Sequence, residues 1–75
     1  MNSRINPDVL EIIQRNGGMR PLVRPLPSTE PLWAWEALCV SLNAAYGFSR
    51  VTGSSADDAS RKLAQLLLFL ADCPE

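Results

Sequence analysis

The segment from Ser54 to Asp72 constrains this chain most. It opens as an amphipathic helix and ends on the run Leu66-Leu67-Leu68-Phe69-Leu70, apolar nearly all the way round. Ser54 or Ser55 can cap it, with Asp57 or Asp58 three residues on, a capping box with Asp in place of Glu. Asp57–Arg61 and Asp58–Lys62 stand acidic-before-basic at i,i+4 spacing. At 100° per residue Ala56, Ala59, Leu63, Leu66, Leu67 and Leu70 share one face, and Leu68 and Phe69 fall on the flanks of the polar stripe. A domain of 75 residues has little interior in which to hide such a helix. Chains this small are completed by disulfides, metals or oligomerisation.

Two of those aids are disfavoured. The chain has no His, and Cys39 and Cys73 are its only thiols, too few for a tetrahedral metal site or a disulfide scaffold. No metal or other cofactor is therefore expected, and oligomerisation remains. No stretch approaches the roughly 20 apolar residues of a membrane span. Residues Met1–Asp8 lack the apolar region of a secretory signal. The expectation is a cytoplasmic protein without a membrane partner.

The remaining chain reads in three pieces. Residues 1–18 hold a short helix: Asn6 caps it, Pro7 suits its first position, and Asn16-Gly17-Gly18 stops it. Residues 19–29 read as a connector, because Pro21, Pro25 and Pro27 exclude a regular helix. Residues 30–72 read as a helical hairpin, with helices over about 30–46 and 55–72 and a turn at Phe48–Gly53. The first of these helices rests on a count. Leu32, Trp35, Cys39, Leu42 and Tyr46 follow a 3-4-3-4 spacing, and Trp33, Ala37, Val40 and Ala44 follow 4-3-4. A helix with two apolar seams needs cover on two sides.

The expected fold is thus all-α: an antiparallel helical hairpin, a short N-terminal helix across it, and dimerisation into a helical bundle. Its core would be Leu32, Trp35, Cys39, Leu42, Tyr46, Leu63, Leu66, Leu67 and Leu70. Trp33, Val40, Leu68 and Phe69 would be left over as dimer or partner contacts.

Catalysis finds no support in the residues. Without His the commonest general base is missing, Asp57 and Asp58 point about 100° apart on a helix, and Cys39 sits mid-seam. The net charge of −1 gives no electrostatic case for nucleic acid. Residues 1–24 carry a balance of +2 and residues 25–75 one of −3, a mild asymmetry. No small-molecule substrate is expected.

Arg20-Pro21-Leu22-Val23, followed by Leu26-Pro27-Ser28-Thr29-Glu30 and then the helical layout, resembles the TraM-type quorum-sensing antiactivators. The resemblance implies a small all-α dimer that sequesters a transcription factor, and it carries over no individual residue. From the residues alone, the expected function is a non-enzymatic protein-binding regulator or inhibitor acting through an apolar helical surface as a homodimer. The alternatives are a small DNA-binding regulator and a docking subunit of a larger assembly.

Overall fold

The computed structural model describes residues 5–27, 33–41 and 47–72. Its elements run α1 (Pro7–Arg15), β1 (Gly18–Pro25), β2 (Trp35–Ser41), β3 (Phe48–Gly53) and α2 (Ala56–Asp72). The strands form one antiparallel sheet in the order β1-β2-β3. Both helices lie against one face of it, and against each other. The fold is α+β, and the all-α expectation is overturned. The helical hairpin over 30–72 and the helical bundle are overturned with it: the described residues of that stretch form two strands and one helix.

Both helices form for the expected local reasons. The Asn6 side chain accepts a hydrogen bond from the Asp8 N–H at 2.8 Å, and Pro7 begins α1. At α2 the Asp58 N–H donates to Ser55 Oγ at 3.0 Å, while Asp58 Oδ2 accepts from the Ser54 N–H at 2.9 Å. Reciprocal capping of this kind satisfies two donors at once. That hydrogen bond from Ser54, and then Lys62, hold the Asp58 carboxyl below its ordinary range. Asp57–Arg61 and Asp58–Lys62 both close, at 2.7 and 3.1 Å.

The strands correct the sequence reading at three places. Residues 19–25 of the presumed connector 19–29 belong to β1, and Pro21 and Pro25 are compatible with pairing because β1 lies at a sheet edge. The presumed first long helix is in part β2, where Trp35, Ala37, Cys39 and Ser41 face the helices while Glu36, Leu38 and Val40 face away. Four of the 3-4 and 4-3-4 matches therefore sit on a pleated strand. The presumed turn is β3, rich in the residues Phe48, Val51 and Thr52 that suit a strand. Leu32, Leu42 and Tyr46, expected in the core, lie outside the described residues.

β1 carries a bulge. Between Met19 and Leu22 it has one more residue than β2 has between Leu38 and Val40. Arg20 takes the strain there, with a left-handed φ of 54°. The extra residue rephases the strand, so that Met19 and Leu22 emerge on the same face although three positions apart.

The core lies between helices and sheet: Ile5, Val9 and Ile13 from the N-terminal segment, Ala59, Leu63, Ala64 and Leu67 from α2, and Val23, Ala37 and Cys39 from the sheet. Trp35 packs at its margin, and Leu66 and Leu70 are half-buried. Gly18 and Gly53 let the layers meet. A Cβ on Gly18 would come within 2.5 Å of Ile13 Cγ2 and 2.7 Å of Leu67 Cδ1. One on Gly53 would come within 2.7 Å of the Ala59 backbone nitrogen.

Two substitutions close together in β1 should therefore act in opposite directions. Gly18→Ala overpacks the α1–α2–sheet junction and should cost about 1–3 kcal/mol. Arg20→Gly relieves the left-handed backbone and should raise stability by about 0.5–1 kcal/mol. Urea midpoints at unchanged m-value measure both; a stabilised Gly18→Ala would mean that the layers do not approach as closely as this.

Candidate functional site: the open face of the sheet

The face of the sheet turned away from the helices forms a three-by-three grid. Strand register sets its rows: Met19–Val40–Phe48, then Leu22–Leu38–Arg50, then Arg24–Glu36–Thr52. The first row is apolar, the second mixed, and the third polar. Met19, Leu22, Val40 and Phe48 are 41–52% exposed, so this face bears large apolar side chains in contact with water.

The opposite, helix-facing side of the same strands is built mostly from smaller groups. There the sheet presents the buried Gly18, Val23, Ala37, Cys39, Ser41, Ser49 and Gly53, with the partly buried Trp35 and Val51 packed against the core. A sheet that had only to complete its own domain would keep its larger apolar side chains inside. Here most of them are outside, and an exposed contiguous apolar patch marks an interaction surface.

The polar row is held by one buried carboxylate. Glu36 is 2% exposed and accepts hydrogen bonds from Arg24 Nε and Arg50 Nε, whose side chains remain 60% and 48% exposed. Arg24 stands directly opposite Glu36, and Arg50 reaches it diagonally from the neighbouring row. Burial pushes the Glu36 carboxyl up, but the hydrogen bonds and positive charges of the two arginines outweigh it and hold the carboxyl below its ordinary value. The trio leaves one net positive charge at one end of the face.

Cys39 carries a free, buried thiol, and burial pushes its pKa up against the effect of a backbone hydrogen bond from Met19. Ser41 Oγ and Ser49 Oγ are buried with no hydrogen-bond partner. Ser60 Oγ donates to the Asp57 carbonyl at 2.9 Å. A shallow cleft of about 260 Å³ between the helices is lined by Val9, Ile12, Arg61, Ala64, Gln65 and Leu68, smaller than the usual small-molecule pocket.

The four contacts expected from sequence are dispersed. Val40 lies on the open face of the sheet. Leu68 lines the interhelical cleft, and Phe69 beside it is exposed. Trp33, also exposed, precedes Trp35, which pairs with Gly53 at the end of β3, just before α2, whereas Leu67 near the other end of α2 reaches Gly18 at the far end of the sheet. Trp33 and Phe69 are thus separated by roughly a strand length, about 20 Å. Met19, Leu22, Leu38 and Phe48 were missed as contacts. The alternation of β2 and β3 was the available signal, but the bulge hides the phase of β1. In comparisons with known proteins, no family model, no curated protein and no solved structure matches this chain.

The Glu36 trio has a pH signature. Its folded pKa lies below the ordinary 4.5. Its stabilisation is therefore complete above that value and is lost as pH falls through the lower folded value. Glu36→Gln should cost about 1–2 kcal/mol at neutral pH, less than for a fully buried pair because both guanidinium groups reach solvent. The gap between wild type and variant should narrow as pH falls below about 4.5. Denaturation curves that stay equally far apart across that range would show that Glu36 is not ionised in the folded protein.

Proposed function

We propose that this chain is a non-enzymatic protein-binding module, a regulator or inhibitor, whose contact surface is the open face of its sheet. The observation that carries the reading is where the large apolar strand residues fall: Trp35, Val23 and Val51 pack towards the helices, while Met19, Leu22, Val40 and Phe48 face water. A face that grades from an apolar row to a polar one combines the two kinds of surface found in protein interfaces. A non-enzymatic role agrees with Glu36 being committed to two arginines and with the Cys39 thiol being buried. A protein partner is favoured over nucleic acid because Glu36 engages both arginines of the face and α2 opens with Asp57 and Asp58.

No helix among the described residues is long and apolar enough to cross a membrane. A cytoplasmic site of action belongs to the same proposal. The apolar helical surface expected from sequence is replaced in this reading by the sheet face.

A photo-reactive residue at position 48 tests the reading in cells of the source organism. It should cross-link to protein, either another chain or a second copy. Leu22→Asp or Val40→Asp, both at solvent-exposed positions, should abolish the cross-link while keeping the helical circular-dichroism signal. Phe69→Asp, on the helix layer, should leave it intact. Cross-linking that ignores Leu22 and Val40 but responds to Phe69 would move the contact surface to the helices.

A further inference from the structure

We infer that the outer edge of β3 is a docking site for an extended segment of another protein, which adds to the sheet as an antiparallel fourth strand and sets an acidic residue beside Arg50. This site is a backbone edge and goes beyond the side-chain face proposed above. A segment docked there would continue that face by one strand.

Two hydrogen bonds fix which way the backbone of each edge strand points. The Ser41 N–H donates to the Gly47 carbonyl at 2.9 Å, just past the pair Val40–Phe48. Hydrogen-bonded and non-hydrogen-bonded pairs alternate along an antiparallel ladder. Cys39–Ser49, Ala37–Val51 and Trp35–Gly53 are therefore the bonded pairs, and Phe48, Arg50 and Thr52 turn their N–H and C=O groups away from β2. On the other side of the sheet the Leu26 N–H donates to the Ala34 carbonyl at 2.7 Å. By the same alternation Arg24 and Leu22 bond to β2, and Pro21, Val23 and Pro25 turn outwards.

The two edges are thus finished differently. On β1 proline stands on either side of Val23 among the outward positions and has no N–H to offer, and the bulge at Arg20 bends the strand. Such devices keep a foreign strand off a sheet edge. β3 has neither proline nor bulge, so Phe48, Arg50 and Thr52 each keep an outward donor and acceptor. Among the described residues no other backbone group bonds to them there. Charge does not guard this edge, because the Arg50 side chain is drawn inwards onto Glu36 of β2. An edge of this kind takes up an extended chain through main-chain hydrogen bonds.

The neighbouring side chains define what that chain carries. Residues of a fourth strand directly opposite Phe48, Arg50 and Thr52 share their face of the sheet. The Arg24–Glu36–Arg50 trio has one carboxylate for two guanidinium groups, and Arg50 remains half exposed. An acidic residue opposite Arg50 balances that charge, with an aromatic residue suited to Phe48 and a β-branched one to Thr52. A second copy of β3 is the poorer occupant. In the register that pairs all the outward residues, Arg50 lies opposite Arg50, and like charges so placed are destabilising.

The probe is the capped peptide Val-Thr-Glu-Thr-Tyr, ordered so that its Glu faces Arg50 and its Tyr faces Phe48, titrated to millimolar concentration into the isotope-labelled full chain. Nuclear magnetic resonance should show saturable shifts at Phe48, Arg50 and Thr52, and hydrogen exchange of those amides slowed by at least about fivefold. Replacing the peptide's Glu by Lys, or methylating the backbone nitrogen of that Glu, should weaken binding at least about fivefold. Thr52→Pro, which removes an outward N–H and spares the β2 ladder, should do the same in a chain whose spectrum stays folded. Leu22→Asp, on the far edge strand, should leave the peptide's affinity unchanged. Three outcomes overturn the inference: no saturable shift at β3, binding indifferent to backbone methylation, or outward β3 amides already protected in the free chain. Equal affinity for the Glu and Lys peptides would overturn the acidic partner. A position-48 cross-link lost on Leu22→Asp, with no peptide bound at β3, would reject the edge and leave the face reading standing. Peptide bound at β3, with a cross-link indifferent to Leu22 and Val40, would do the reverse.

Discussion

The seating of α2 on the sheet governs the rest of this molecule. Gly53 and Ala59 bring its first turn against the end of β3, and Gly18 lets Leu67 reach the start of β1. Between these two points Leu63 and Leu67 fill the space over Ala37 and Cys39, with Ile13 from α1 closing the layer. A helix can lie this close only over small side chains. Under α2 the inner face of the sheet is therefore small, with Trp35 and Val51 packed beside the core, and Met19, Leu22, Val40 and Phe48 fall on the other side. Close helix packing and a bare apolar sheet face are two consequences of one choice of residues.

That choice places limits on stability. The interior carries Ser41 and Ser49 with unpartnered hydroxyl groups, each of which gives up hydration without compensation. Their small volume fits the close layer, but no hydrogen bond offsets their burial. The bulge at Arg20 adds backbone strain. A single-sided core that tolerates such costs is consistent with a domain completed from outside.

The helices were legible in the sequence and the sheet was not, for identifiable reasons. Asn6-Pro7, Ser55 with Asp58, and the two i,i+4 ion pairs are local signals, and each forms in place. β2 was misread because Trp35 and Cys39, four apart, satisfy a helical seam as well as a strand face; short apolar runs do not distinguish the two periods. β1 was misread because proline counts against a strand only where its missing N–H is needed, and edge position is a tertiary fact. Its phase was further hidden by the bulge. The contact surface was then sought on helices, where Leu68 and Phe69 are exposed, although Val40 already pointed to the sheet. The fold implied by the resemblance to TraM-type antiactivators is likewise not the fold adopted.

Glu36 shows why the open face is not simply hydrophobic. A leucine there would place an apolar side chain between Arg24 and Thr52 and leave Arg24 and Arg50 without the carboxylate that pairs them. A uniformly apolar face can be met in several registers, whereas one with a fixed charged row admits fewer, because a partner that slides over it must bury guanidinium groups. Glu36 fixes those groups in place: one carboxylate spans Arg24 on one edge strand and Arg50 on the other, tying β1 to β3 across β2. The same trio thus clamps the sheet laterally and gives its open face a direction. Ion pairs at such positions contribute less to stability than to selecting one arrangement among several of similar burial.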